Sequence, residues 1–174
     1  MSTSSGWCAV ALAATLVFTN NVVWSTESLP FTYMTLNGIQ DIAISIEDLE
    51  PDLAVYGLNE GRINALIDAL FQAAQMKRIP IAAAMTDPHA GLLRVRIITN
   101  YDANGFYHTS IKLEFRAKVP LGNSAGGFVS QVVWTTAENT VMLASEVEKI
   151  DPLVRTGVQK FIDNYKAQNP APVH

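Results

Sequence analysis

Cysteine is almost missing from this chain: Cys8 is the single one in 174 residues. Everything after it folds without disulfides, thiol nucleophiles or cysteine metal ligands, so stability has to come from packing. Positive charge is missing from the front. The first Lys or Arg is Arg62, and residues 1–25 carry no charged side chain. Long hydrophobic runs are missing too: the apolar run Trp7–Phe18 has twelve residues, where a membrane span needs about 20. There is no dinucleotide-binding glycine fingerprint, no P-loop, no zincin helix and no repeat of about 20–50 residues. These absences point away from an enzyme and leave a domain without a cofactor as the expectation.

What the front does have is the pattern of an export signal. The apolar run exits into polar Thr19-Asn20-Asn21, and Val23 and Ser25 fit the third and first positions before a cut after Ser25. The missing basic flank departs from that pattern, and an uncleaved anchor is the alternative. Cys8 precedes the run and follows Ser5-Gly6-Trp7, so no lipid anchor is expected. The chain divides into a signal at 1–25, an extension at 26–39, one domain at 40–169 and a tail at 170–174. The expectation is an exported protein, periplasmic or secreted, that meets a membrane only through its first segment, if that segment stays uncleaved.

Charge along the rest is uneven. Residues 26–61 hold seven acids and no base, residues 62–118 eight bases and four acids, and the remainder five acids and four bases, for a net −4. The bases are spread out and the total is acidic, which argues against nucleic acid as a partner.

Periodicity supplies the elements. Gln40–Glu47 alternates through Ile42, Ile44 and Ile46 as a half-buried strand. Asn59 can cap a helix on which Ile63, Leu66, Ile67, Leu70, Phe71 and Ala74 share a face, ended by Pro80. Leu92–Tyr101, the turn Asp102-Ala-Asn-Gly105, Phe106–Val119 and Phe128–Thr136 read as three antiparallel strands. On the middle one Tyr107, Thr109, Ile111, Leu113, Phe115, Ala117 and Val119 form the packed face. A closing helix starts either at Ser145 with Glu148, which have capping-box spacing, or at Asp151-Pro152, and buries Val154, Val158, Phe161, Ile162 and Tyr165. The class is α+β: strand, helix, three antiparallel strands, helix, with two helices on one face of a single sheet.

The spacing of Asp48-Leu-Glu-Pro-Asp-Leu, Tyr56-Gly-Leu, Gly105-Phe-Tyr, Val133-Trp134-Thr and Phe161-Ile-Asp-Asn-Tyr resembles a group of small exported bacterial proteins of unknown function. The resemblance covers roughly residues 40–169. It implies export and an α+β sheet and carries no site residues across.

Three constellations could carry chemistry. Gly122-Asn-Ser124-Ala-Gly126 matches the nucleophile-elbow pattern, with Asp151 or Asp163 and His174 following in order, but strands on both sides make it a hairpin loop. Asp87, His89 and His108 offer metal-ligating side chains without a diagnostic spacing, and the acids Glu47, Asp48, Glu50 and Asp52 lack the glycine of a calcium loop. The basic stripe is the most specific. Arg94 and Arg96 alternate on one strand and Lys112, Arg116 and Lys118 on the next, which can bring all five to one solvated sheet face around Glu114. The expected function is a non-enzymatic exported domain binding a protein partner, an envelope component or a small anionic ligand there. The alternatives are a serine hydrolase using Ser124 and a structural subunit of an envelope assembly.

Overall fold

The structure is a computed structural model that describes residues 36–120 and 127–170. Strand β1 (Asp41–Glu47) sends Ile42 and Ile44 into the core and Ala43 to the opposite face, as alternation requires. A 3-10 turn, Pro51–Tyr56, follows and anchors itself through buried Leu53. Helix α1 (Glu60–Ala73) begins where the Asn59 side chain accepts the Arg62 N–H at 2.9 Å. It buries Ile63, Ile67 and Phe71 on one stripe.

Pro80 does not end this helix. Gln75 takes a left-handed φ of 57°, and the Met76 N–H bonds back to the Phe71 carbonyl at 2.9 Å, a Schellman closure that stops the helix before the proline is reached. Pro80 instead caps a helix that periodicity did not reveal, α2 (Ile81–Thr86), six residues long with Ala84 buried. So short a helix contains too few turns to show a stripe.

The sheet continues with β2 (Ala90–Tyr101), β3 (Tyr107–Pro120) and β4 (Phe128–Met142), in spatial order β1-β2-β3-β4. β2, β3 and β4 form the antiparallel meander, with Asp102-Ala-Asn-Gly105 as the first turn and Gly105 at φ 89°. β1 lies parallel to β2, a pairing that needs a crossover, and α1 supplies it. β4 runs six residues past Thr136, because Glu138, Thr140 and Met142 pair with Ile111, Thr109 and Tyr107 of β3. Cross-strand pairing there overrides the poor strand propensity of Ala137-Glu-Asn139.

After β4 comes a 3-10 turn, Ala144–Lys149, and then α3 (Ile150–Gln168), with Asp151 and Pro152 in its first turn. The Ser145–Glu148 capping box does not form. The Glu146 carboxylate accepts the Leu143 N–H at 3.0 Å instead and pairs with Lys149 at 2.8 Å.

α1 and α3 pack on the same sheet face and share one core with Leu93, Val95, Ile97, Ile111, Leu113 and Phe115. Phe161 is its centre, with ring centroids 5.0 Å from Phe115, 5.3 Å from Trp134 and 6.4 Å from Phe71. Arg62 clamps Asp151 with Nη2–Oδ2 at 2.9 Å, joining the starts of the two helices. The fold takes in Leu36 and Ile39: both are buried, and the Tyr165 hydroxyl donates to the Ile39 carbonyl at 2.7 Å. α2 lies on the other face of the sheet, where Ala84 packs on Ala43 and Ala90 in a small separate cluster. That face, expected to be uniformly wet, is therefore covered at one end.

Candidate anion-binding face of the sheet

Alternation sends Leu93, Val95 and Ile97 inward, so Leu92, Arg94 and Arg96 point outward. The β2–β3 register sets Arg94 opposite Glu114, Arg96 opposite Lys112 and Leu92 opposite Arg116. Together with Lys118, all five expected bases share one face. Four of them already have partners.

The parallel strand β1 delivers two of those partners. Glu47, at its end, takes Arg94 in a two-pronged pair, with Nε–Oε1 at 2.9 Å and a second contact from Nη2 to Oε2. Asp48, next along at a left-handed φ of 60°, places Oδ2 2.7 Å from Arg96 Nε. Glu114 is buried at 8% exposure and is held by Lys112 at 2.6 Å and by Arg94 Nη1 at 3.8 Å. The charges act on one another. The Arg94 hydrogen bond holds the Glu47 carboxyl below its ordinary range against the opposing effect of burial, and the Lys112 hydrogen bond does the same for Glu114. Glu47 in turn raises Arg94. Lys118 is spent differently: its Nζ donates to the carbonyls of Met85 at 2.6 Å and Asp87 at 3.0 Å, tying the end of α2 to β3.

Arg116 stands apart. Its Nε is buried and meets no acceptor among the described residues, and a buried donor left unpaired costs about 1–3 kcal/mol. The position is distinctive in the backbone as well. The register of β3 and β4 shifts between Phe115 and Arg116, where Trp134 and Val132 pair on either side of the extra residue Val133. Such bulges re-aim the neighbouring side chain. Beside Arg116, between α2 and the sheet, is a cleft of about 110 Å³ walled by Ile81, Met85 and Leu92 on its apolar side and by Arg116, Lys118 and Ser130 on its polar side.

The other candidates do not converge. Asp87 Oδ1 accepts the His89 N–H at 2.8 Å in the turn before β2. His108 stands at the opposite end of the sheet, opposite Asn100, while Gly91 is opposite Ala117, a separation of roughly 30 Å by strand rise. His108 Nε2 lies 3.0 Å from Asp102 Oδ2, and that bond, with the Phe106 N–H as the next contributor, pulls the Asp102 carboxyl down to about 2. The pair bolts the β2–β3 turn. No three His, Cys, Asp or Glu side chains among the described residues gather as a metal site would require. Ser124 and His174 lie outside the described residues. The strands flanking the Ser124 loop are antiparallel neighbours joined at Pro120 and Phe128, so strand follows loop where an elbow needs a helix. Asp151 is held by Arg62, and Asp163 accepts the Gln159 amide at 2.8 Å.

Sequence reasoning thus found the stripe and missed its counter-charges. In the sequence Glu47 and Asp48 stand only as acids without a calcium-loop glycine, and the signal that could have placed them was their position at the end of a strand whose neighbour carries Arg94 and Arg96. The α2 cleft had no sequence signal.

No protein-family model and no curated protein matches this chain. Among solved structures it is similar to a dodecamer of a PelC variant from Paraburkholderia phytofirmans, at 12% identity and a TM-score of 0.39, covering 75% of this chain and 90% of that one. It is also similar to a minor lipoprotein from Acinetobacter baumannii, at 12% identity and a TM-score of 0.29, covering 75% and 92%. Both similarities are too distant to assign a role. No helix among the described residues is long and apolar enough to cross a membrane.

Proposed function

We propose that this protein is an exported, non-enzymatic binding module that holds an anionic ligand on the outer face of its sheet. One observation carries the reading: of five bases gathered there, Arg116 alone has no acceptor among the described residues, and its Nε is buried beside a cleft. A guanidinium so placed offers a planar fork to a carboxylate or phosphate. Its paired neighbours keep the surrounding face close to neutral, which favours a small ligand over a polyanion. Export rests on the apolar run Trp7–Phe18 and its polar exit.

Titrating inorganic phosphate into 15N-labelled protein at constant ionic strength tests the site. Amide shifts concentrated at Leu92, Arg116, Ser130 and Val132 are expected, and Arg116→Gln should remove them without lowering the thermal midpoint. Shifts absent from that region, or unaltered in the variant, overturn the proposal. Export predicts a protein in the envelope fraction whose first residue is Thr26. A cytoplasmic protein that retains residues 1–25 removes it.

A further inference from the structure

We infer that the ligand of Arg116 is an amphipathic anion: one carboxylate or phosphate-ester head joined to a short apolar chain that lies in the cleft under α2. The inference rests on the anion-binding reading above and adds the chemistry of the ligand's other end.

The head follows from the charges. Glu47 and Asp48 occupy Arg94 and Arg96, Glu114 occupies Lys112, and backbone carbonyls occupy Lys118. Carbonyls do not neutralise Lys118, so three carboxylates against five bases leave two positive charges, Arg116 and Lys118, both on the cleft; one head group of one or two negative charges is matched and a chain of phosphates is not. The tail follows from the walls. α2 sits against the sheet through Ala84, Ala43 and Ala90, all small, which lets the helix approach closely on its β1 side. Ile81 and Met85 of α2 line the cleft with Arg116 and remain 44% and 67% exposed. Leu92, directly opposite Arg116 in the register, provides the apolar floor. An unbranched thioether beside a cation suits a chain of variable shape. At about 110 Å³, well below the roughly 300–1,000 Å³ of pockets that hold drug-sized ligands, the cleft takes a few methylenes, not a whole diacyl lipid.

The test compares inorganic, ethyl, butyl and hexyl phosphate, all below micelle-forming concentrations, by the same amide shifts. Each methylene buried should tighten binding about three- to fourfold, until the cleft is full. The double variant Ile81→Ser/Met85→Ser, at positions outside the buried core, should keep the inorganic phosphate affinity and lose the chain-length series; its circular dichroism checks that α2 and the sheet persist. Acetate, butyrate and hexanoate in place of the phosphates should reproduce the series. Affinity independent of chain length overturns this inference and leaves the anion-binding reading standing. Failure of every phosphate, inorganic included, overturns both. Arg116-dependent co-sedimentation with phosphatidylglycerol vesicles, without binding of free hexyl phosphate, also overturns it and assigns a membrane surface as the ligand.

Discussion

Gly91 is where one atom would do the most damage. A Cβ there would lie 2.0 Å from Phe115 Cζ, and Phe115 is fully buried against Phe161. Gly91→Ala should therefore lower stability by about 1–3 kcal/mol, read as a drop in the urea midpoint without a change in slope. Gly157 of α3 is a milder case: its Cβ would meet Leu113 Cδ1 at 2.8 Å, the end of a flexible side chain that can rotate away. At this scale the sequence was readable in pattern and silent in distance. The inward residues Leu93, Val95, Ile97, Ile111, Leu113 and Phe115 are the ones alternation selects. Gly91, by contrast, reads as the residue before a strand, yet β2 begins at Ala90 and presses that glycine against the core.

At the scale of elements, the pairing of β1 with β2 is fastened by carboxylates, and this makes the sheet sensitive to acid. Glu47 and Glu114 have native pKa values below the ordinary 4.5, and Asp102 in the β2–β3 turn falls from 3.8 to about 2. A depressed carboxylate contributes stability that is complete above its unfolded pKa and is lost as pH falls through its folded one. Thermal midpoints should accordingly decline from about the ordinary value of 4.5 toward 2. Glu47→Gln should be less stable at neutral pH by up to about 1 kcal/mol, as for a partly exposed pair, and its midpoint should fall less steeply on acidification. An unchanged acid slope would remove Glu47 from this account. The Glu47–Arg94 pair has no sequence signature, because its members are 47 residues apart. The helices were more legible. Asn59 capped α1 as its side chain predicts, whereas the end of α1 depended on Gln75 accepting a left-handed backbone, a conformation that glycine or asparagine would have advertised.

At the scale of the whole molecule, the two long helices and all four strands contribute to one core. Helix and sheet should therefore unfold together. In a chain with Trp7→Phe and Trp24→Phe, the fluorescence of Trp134, which packs on Phe161 of α3, should lose its native signal at the same urea concentration as far-UV circular dichroism. Separate transitions would mean that the α1–α3 layer can leave the sheet. The α+β class and the placement of two helices on one face were legible for the same reason as the core: amphipathic stripes on α1 and α3 have to be buried somewhere, and the apolar face of the meander is the available surface.

The sequence by itself determined the four strands and two long helices, their order, the inward and outward faces and the gathering of five bases on one of them, since these depend on periodicities of two and 3.6 residues along a continuous stretch of chain. The tertiary structure alone decided that β1 runs parallel at the sheet's edge, that Glu47 and Asp48 neutralise Arg94 and Arg96, and that α2 folds back over Ala43 and Ala90 to make a cleft beside Arg116. Those outcomes join residues tens of positions apart, where no local pattern reaches and only the closure of the chain on its core brings the groups together.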